Sequence, residues 1–386
     1  MFSKEIIEQF QNIETPFYYY DTDLLAQTLQ AVKSESEKYG FTVHYALKAN
    51  VNDQILRQIH NFGFGADCVS GNEVKKALEI GFKPDHVVFA GVGKSDKEIM
   101  EALQADIFCF NSESVQELEV INELAIKLQK TAKIALRINP NVQADTHKYI
   151  TTGTSENKFG INLHELDSVI DNFANYSNLK LIGLHFHIGS QILDLNNFKD
   201  LALKINEIQD NLEKKGVVLE NINVGGGLGI DYKNPDENLI SNFKDYFKNF
   251  AELLKIRKHQ KVHFELGRAL VAQCGSLISK VLYLKKGVSK QFLIIDAGMT
   301  ELIRPALYQA HHHIQNLTSD KIAQNYDVVG PICESSDCFG KEISLNEAQR
   351  GDLIAIRSAG AYGEVMTSFY NLRDKAKAIY KNELLN

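Results

Sequence analysis

Short apolar runs alternate with longer amphipathic segments from about residue 40 to residue 270. Each run ends in small or polar residues, and the following segment repeats apolar residues at i, i+3, i+4 and i+7, a spacing typical of an amphipathic helix. Serine or aspartate often stands near the start of these segments, where an N-cap is expected. The pattern predicts eight strands, within FTVHYALKAN, GFGADCVS, HVVFAG, DIFCFN, KIALRIN, LIGLHFHIG, NINVGGG and VHFELG.

This alternation predicts an α/β fold with a second, β-rich part. Eight strand–helix units fit a (β/α)8 barrel over residues 32–270, and a doubly wound open sheet is the alternative. Later runs such as GSLISKVLYLKKGVSKQFLIIDAG and DLIAIRSAG are β-rich and separated by turn residues. They predict a second, mainly antiparallel β domain over residues 271–386. The strand-like PFYYYD at residues 16–21 suggests that residues 1–31 join this second domain.

Composition narrows the classes of function. A chain of 386 residues is long enough for two domains, and its net charge of −7 argues against a nucleic-acid partner. No run approaches the roughly 18 apolar residues of a membrane span, and the acidic start MFSKEIIEQF does not resemble a signal peptide. The five scattered cysteines contain no C-x-x-C pair, so we expect a cytoplasmic protein without a structural zinc site.

Polar residues collect at the carboxyl ends of the predicted strands, where barrel enzymes place their chemistry. They are Lys48, Arg137, His185, His187, Ser190, Gly225, Gly226, Gly227, Glu265 and Arg268. Taken alone, Lys48 is either a desolvated nucleophile or a lysine that extends to solvent at a strand end. The glycine run is either a phosphate-binding loop or a tight turn.

The two histidines of HFH, His185 and His187, share one strand face, as zinc ligands do. The neighbouring strand ends offer cations rather than further ligands, so we expect no metal. A lysine, an anion-binding glycine loop, a flat imidazole and one carboxylate instead match the needs of pyridoxal 5′-phosphate. The run HHH at residues 311–313 is expected on the surface of the second domain.

Motifs over nearly the whole chain carry a family resemblance. The chain resembles the fold-type III pyridoxal-phosphate-dependent decarboxylases and, among them, the diaminopimelate decarboxylases. The motifs are YALKAN, ENKFGI, GLHFHIGSQI, NVGGGLGI, ELGR, LIRPALY, GPICESSD and AGAYGEVMTSFYN. The last three distinguish this family from its relatives that act on ornithine or arginine.

The resemblance implies a role for each matching residue. Lys48 carries the cofactor, His187 stacks on its ring and Glu265 pairs with the ring nitrogen. The phosphate contacts are Ser190, Gly226, Gly227 and Tyr362. The substrate contacts are Arg268, Arg304 and Tyr308 at the distal carboxylate, Glu334 at the distal ammonium, and Tyr362. Cys333 is expected near the reacting carbon of the partner subunit, which makes a homodimer with shared active sites the expected unit.

The implied reaction converts meso-2,6-diaminopimelate to L-lysine and CO2. Two arginines suit a substrate that keeps a second carboxylate, since a guanidinium matches a planar carboxylate. A decarboxylase for carboxynorspermidine or another amino acid remains an alternative, although the arginine pair argues against it. An amino-acid racemase of similar fold and a non-catalytic pyridoxal-phosphate-binding protein are further alternatives. The large second domain argues against the non-catalytic one.

Overall fold

The computed structural model describes residues 2–142 and 158–384. Contacts divide the chain into two compact units. The β-rich unit comprises Met1–Thr28, Ile230–Ser241 and Arg268–Asn386, and the barrel unit comprises Leu29–Gly229 and Asn242–Gly267. The first two residues of the motif ENKFGI, at 156–157, lie outside the described residues.

The β-rich unit includes Ile230–Ser241, a segment that the sequence had assigned to the barrel. Polar contacts explain the difference. The side chain of Arg357 is 1% exposed and pairs with Asp236 at 2.8 Å between Nη2 and Oδ1. Gln273 donates a hydrogen bond to the backbone carbonyl of Asn238. A buried guanidinium needs acceptors, and this segment supplies them.

Seventeen strands lie in the described part of the chain. They are β1 (Phe17–Tyr20), β2 (Thr42–Ala46), β3 (Gly65–Cys68), β4 (Val87–Phe89), β5 (Cys109–Ser112), β6 (Ala132–Asn139), β7 (Ile161–Asn162), β8 (Leu179–His185), β9 (Asn221–Asn223), β10 (Lys261–Leu266), β11 (Gly275–Lys286), β12 (Gln291–Ile295), β13 (Ile314–Asn316), β14 (Ala323–Val329), β15 (Cys338–Asn346), β16 (Leu353–Ile356) and β17 (Lys377–Tyr380).

Twelve α-helices lie in the same residues. They are α1 (Lys4–Phe10), α2 (Thr22–Glu37), α3 (Asp53–Asn61), α4 (Gly71–Ile80), α5 (Asp96–Gln104), α6 (Val115–Lys127), α7 (Leu163–Asn172), α8 (Asn196–Lys214), α9 (Phe243–Leu253), α10 (Arg268–Val271), α11 (Arg304–Tyr308) and α12 (Lys381–Leu384). None of the helices in residues 2–142 and 158–384 combines the length and the apolar character needed to cross a membrane.

The barrel unit is a closed ring of eight parallel strands. Neighbours pair in the order β5, β4, β3, β2, β10, β9, β8 and β6, and β6 pairs again with β5 to close the ring. The short β7 pairs with β6. The eight strands coincide with the eight predicted apolar runs, so the predicted barrel is confirmed.

Side-chain caps fix the starts of several barrel helices, as the sequence predicted. The hydroxyl of Ser70 accepts from the Glu73 amide, and Ser95 and Glu98 form a reciprocal capping box. Ser114 caps α6 in the same way, through the Glu117 amide. Each cap satisfies a backbone N–H that has no partner within its helix. The capped helices α4, α5 and α6 thus begin in the loops that follow the strand ends.

The inner face of the barrel carries a chain of polar side chains on β2, β9 and β10. His44 Nε2 lies 3.0 Å from His263 Nδ1, and His263 Nε2 lies 2.9 Å from Asn221 Oδ1. Burial lowers the pKa of His44 to about 4 and that of His263 to about 3. Both rings are therefore neutral in the folded protein at neutral pH and are held by hydrogen bonds and by ring contacts with each other and with Phe108.

This neutral pair is expected to make folding stability fall as the pH falls below 6.5. An unfolded histidine binds a proton near pH 6.5, whereas the folded rings do so only near pH 4 and pH 3. The unfolded state thus binds more protons in this window, and each histidine removes about 2 kcal/mol between pH 7 and pH 5. Urea unfolding at the two pH values measures this loss.

The matched variants are His263→Gln, which removes one of these rings, and His164→Gln, which removes an exposed histidine. We expect His263→Gln to lose less stability on acidification than the unchanged chain, whereas His164→Gln follows the unchanged chain. An equal acid-induced loss in His263→Gln and the unchanged chain would refute the assignment.

The β-rich unit is built on one mainly antiparallel sheet, as predicted. Its strands follow the order β13, β16, β11, β12, β14 and β15, and β1 joins it beside β11 and β17. The pairs β12–β14 and β1–β17 are parallel, and the others are antiparallel. A buried apolar cluster from α1 and three strands supports it, formed by Ile6, Phe10, Phe17, Tyr19, Ile278, Leu353 and Ala355.

Candidate active site

Lys48 lies in a single 3-10 turn, Leu47–Ala49, that directly follows β2. Its Nζ is 3.7 Å from Oδ2 of Asp67 at the end of β3, and the Asp67 side chain is 1% exposed. The sequence shows no acidic residue near Lys48 along the chain. The barrel supplies one because the carboxyl ends of neighbouring parallel strands meet at the same rim.

The carboxyl group of Asp67 has an unusual acidity. Burial and the negative charge of Glu265 raise its pKa to about 8, although Lys48 acts in the opposite direction. Neither oxygen of Asp67 has a hydrogen-bond partner in the described part of the chain. A carboxyl group that titrates near neutral pH can accept or return a proton, so Lys48 has a proton-exchanging neighbour.

Glu265 on β10 is held by side chains from three other strands. Its Oε1 accepts from Asn111 at 3.0 Å and from Asn223 at 2.7 Å. Its Oε2 lies 2.9 Å from His185 Nε2. These contacts fix the orientation of a carboxylate that is only 6% exposed. Asn223 lies two residues beyond Asn221 on the same strand, and Glu265 two beyond His263, so both point inward.

Burial alone would raise the pKa of Glu265, but the charge and hydrogen bond of His185, together with Lys48, lower it well below its usual value. Glu265 therefore stays ionised, while Asp67 on β3 has its pKa raised. The two inward-facing carboxyl groups therefore differ in their charge state. Glu265 remains an anion, whereas Asp67 can take up and release a proton, because their environments differ.

His187 and the glycine run lie on adjacent loops after β8 and β9. The N–H of Gly226 donates to His187 Nδ1 at 3.3 Å, and burial, Lys48 and Arg137 lower the pKa of His187. Gly225 and Gly227 have φ of +72° and +108°. A Cβ on Gly226 would collide with the carbonyl of Glu265. The glycines are therefore required by the close approach of these loops as well as by any ligand.

The barrel group fits pyridoxal phosphate by the chemistry of its donors. It offers an amine at Lys48, a fixed anion at Glu265 for a protonated ring nitrogen and a neutral imidazole at His187. The positive φ values flanking Gly226 are typical of turns that present N–H groups to phosphate. Ser190, after β8, is half-buried.

The positive charge of Arg137, which also lies at a strand end, is balanced by an ion pair with Glu113. Its Nη1 lies 2.8 Å from Glu113 Oε1, and both side chains are buried. The backbone amides of Gly91 and Gly160 also donate to the carboxylate of Glu113. Arg137 and Glu113 thus connect three loops at the strand ends.

In residues 2–142 and 158–384 we find no cluster of three or more histidine, cysteine, aspartate or glutamate side chains placed to hold a metal.

A second polar group lies within the β-rich unit. Arg268 and Arg304 are each 6% exposed, and both donate through Nη1 to the hydroxyl oxygen of Tyr232, at 2.7 and 2.9 Å. The guanidinium of Arg268 also lies 4.9 Å from the ring centre of Tyr362. Burial lowers the pKa of Arg268, but the oxygens of Tyr232, Tyr362 and Tyr308 outweigh it and raise the pKa. The four predicted substrate residues Arg268, Arg304, Tyr308 and Tyr362 are thus neighbours.

The run HHH contributes to this group, and the prediction of a surface position was wrong for its middle residue. His312 is 2% exposed, and its Nε2 lies 2.9 Å from Arg304 Nη1. Its Nδ1 lies 2.8 Å from the carbonyl oxygen of Arg357. The ring is buried because each nitrogen has a partner. Hydropathy could not indicate this.

Cys333 and Glu334 lie elsewhere in the β-rich unit, on an exposed loop. The amide of Cys333 donates to Asn371 Oδ1 at 3.0 Å, and Glu334 Oε1 accepts from the Tyr370 hydroxyl at 2.8 Å. The buried carboxylate of Asp337 shapes this loop by accepting from the amides of Met299 and Ile332. The Cys333 thiol, predicted to act in the site of a partner subunit, and the Glu334 carboxylate, predicted to bind the distal ammonium, are thus both exposed at the surface.

Comparison with known proteins decides the family. Residues 23–272 match the family model for the pyridoxal-binding domain of pyridoxal-dependent decarboxylases. The diaminopimelate decarboxylase of Bacteroides thetaiotaomicron is 57% identical over 380 residues, which are 98% of this chain and 98% of that protein. This chain belongs to the diaminopimelate decarboxylase family. The resemblance noted in the sequence is confirmed, and with it the assignment as a pyridoxal-dependent decarboxylase.

Two further relatives agree with this membership. The diaminopimelate decarboxylase of Aquifex aeolicus is 40% identical over 96% of this chain and 88% of that protein. The crystal structure of diaminopimelate decarboxylase from Helicobacter pylori complexed with L-lysine has a TM-score of 0.91 at 42% identity, covering 97% of this chain and 93% of that chain. The barrel and the second β domain are therefore the fold of this decarboxylase family.

Proposed function

We propose that this chain catalyses the decarboxylation of meso-2,6-diaminopimelate to L-lysine and CO2, the last step of lysine biosynthesis. The observation that carries the substrate is the pair of buried guanidinium groups, Arg268 and Arg304, that share Tyr232. A substrate that loses one carboxylate and keeps another needs such a pair at the end that does not react. The names of the relatives support the same substrate.

Bound pyridoxal phosphate supplies an electron sink for the electron pair left when the carbon–carbon bond breaks. Lys48 provides the amine that holds the group, and Glu265 stays ionised to pair with its ring nitrogen. His187 offers a neutral flat face to the ring. Ser190, Gly226, Gly227 and Tyr362 would hold the phosphate.

The remaining residues act on the substrate. Arg268, Arg304 and Tyr308 hold the distal carboxylate. Glu334 binds the distal ammonium, and Tyr362 contacts the substrate. The bond between the reacting carbon and its carboxylate breaks, CO2 leaves, and the carbon takes up one proton. Either the Cys333 thiol or the Lys48 ammonium gives that proton, and Asp67 is placed to return one to Lys48.

The test is a turnover assay. Purified chain is incubated with pyridoxal phosphate and meso-diaminopimelate, and L-lysine and CO2 are quantified, with L-ornithine, carboxynorspermidine and cofactor-free samples as controls. Equal amounts of lysine and CO2 from meso-diaminopimelate alone support the proposal. Turnover of carboxynorspermidine in its place would identify the related decarboxylase. Inversion of a stereocentre without CO2 would identify a racemase.

We propose that the working unit is a homodimer with shared active sites. Cys333 and Glu334 lie at the surface, and the segment that contacts their loop exposes 71% of Phe369 and 94% of Leu372. Exposed apolar side chains of this size are typical of a contact surface. Light scattering is expected to give twice the chain mass of 43.4 kDa. A monomer with full activity would overturn the shared site.

We propose the cytoplasm as the compartment. All five cysteines are free thiols, and a reducing compartment keeps thiols in that state. Fractionation of the source cells, followed by assay of lysine formation, tests this location. Activity confined to a membrane or extracellular fraction would contradict it.

A further inference from the structure

Tyr232 occupies the centre of the arginine group in the β-rich unit. Its hydroxyl oxygen accepts one hydrogen bond from Arg268 and one from Arg304, and its side chain is 9% exposed. Burial raises the pKa of Tyr232, but the two guanidinium charges outweigh it and lower the pKa. One tyrosine oxygen thus holds together two cations that would otherwise repel each other.

His312 holds Arg304 from a second side. A carbonyl oxygen can only accept, so the contact with Arg357 O fixes the ring proton on Nδ1. Burial and the charge of Arg304 lower the pKa of His312 to about 3, so Nε2 is unprotonated and accepts from Arg304 Nη1. No carboxylate in the described residues forms an ion pair with Arg304, and its buried Nε has no hydrogen-bond partner there.

We infer that Tyr232 and His312 are positioning residues that orient Arg268 and Arg304 for the carboxylate of the substrate that is retained in the product. This inference rests on the proposed function. Neither residue is a carboxylate, and a protein carboxylate in their place would pair with the arginines and compete with the ligand. Arg304 therefore keeps its orientation without an ion pair to a carboxylate of the described residues, which favours ligands with a carboxylate at that end.

The test is Tyr232→Phe, which removes one oxygen and keeps the ring. We expect KM for meso-diaminopimelate and the inhibition constant of L-lysine to rise at least about tenfold, which corresponds to about 1.4 kcal/mol. The turnover number should change less than about threefold, and the affinity for pyridoxal phosphate should not change. Cadaverine, which is L-lysine without its carboxylate, should inhibit the variant and the unchanged chain equally.

The matched control is Tyr326→Phe. Tyr326 is also buried in the β-rich unit, and its hydroxyl accepts from the amide of Ala348 at 3.2 Å, away from the arginines. It undergoes the same chemical change and should leave KM and both inhibition constants unaltered. If Tyr232→Phe and Tyr326→Phe both weaken the inhibition by L-lysine and by cadaverine to the same extent, the role of Tyr232 is structural and the inference fails.

Two variants of His312 give an independent readout. His312→Gln can keep an acceptor near the Nε2 position, whereas His312→Asn can keep the donor to the Arg357 carbonyl but loses the contact with Arg304. We expect His312→Asn to raise KM like Tyr232→Phe and His312→Gln to restore part of the loss. Equal KM values for these two variants would contradict the role of the Nε2 acceptor.

The outcomes separate this inference from the proposed function. If the unchanged chain does not decarboxylate meso-diaminopimelate, the proposed function fails. If it does and Tyr232→Phe leaves KM and the inhibition by L-lysine unaltered, only the positioning role fails.

Discussion

Replacing Lys48 with arginine is expected to lower the turnover of meso-diaminopimelate by about 10³-fold or more, the scale seen when a covalent nucleophile is lost. Arginine keeps a positive charge opposite Asp67, so the local electrostatics change little. It cannot supply an amine that deprotonates near neutral pH. The loss would therefore report the covalent role of Lys48 rather than its charge.

Two measurements distinguish that role from a loss of fold. Borohydride reduction followed by intact mass measurement should fix pyridoxal phosphate to the unchanged chain and leave Lys48→Arg unmodified. The matched control is Lys133→Arg, an exposed position on β6 of the same barrel, which should behave as the unchanged chain does. A Lys48→Arg variant that keeps a tenth of the activity would remove Lys48 from the mechanism.

The fold could be predicted because its signal is local and repeated. Each barrel strand is apolar and ends in polar residues, and each helix begins with a cap such as Ser70 or Ser95. These features depend on neighbours within about four residues. The segment Ile230–Ser241 was misassigned because its place depends on an ion pair between Asp236 and Arg357, 121 residues apart.

Site residues that stand within a recognisable motif could be predicted from the sequence. Site residues that only the topology of the barrel brings together could not. Lys48 and Glu265 stand at strand ends within recognisable motifs. Asp67, Asn111 and Asn223 also stand at strand ends, but an inward-facing aspartate or asparagine has the same sequence pattern as one in a turn. Tyr232 and His312 could not be found at all, since their roles arise from contacts with arginines 36 and 8 residues away.

Replacing Glu265 with glutamine is expected to lower the turnover number by about 10²-fold while the thermal midpoint changes little. The amide oxygen can take the place of Oε1 and accept from Asn111 and Asn223. The amide nitrogen can take the place of Oε2 and donate to His185 Nε2, provided that Nε2 gives up its proton and the imidazole carries one on Nδ1. That nitrogen has no partner in the described residues, so the shift breaks no contact there.

Glu265→Gln therefore removes a charge and keeps the shape and the hydrogen bonds. The effect expected for one preorganised electrostatic group is 10² to 10³ in turnover, and the control Glu220→Gln removes an exposed carboxylate of the same unit with no such effect. Turnover and thermal midpoint are measured on both. A parallel fall of both quantities in Glu265→Gln would make Glu265 a structural residue, and an unchanged turnover would mean that no charge is needed there. Because Glu265 also raises the pKa of Asp67, and Asp67 acts in its protonated form when it returns a proton to Lys48, the variant should in addition shift the alkaline limb of the pH–rate profile to lower pH.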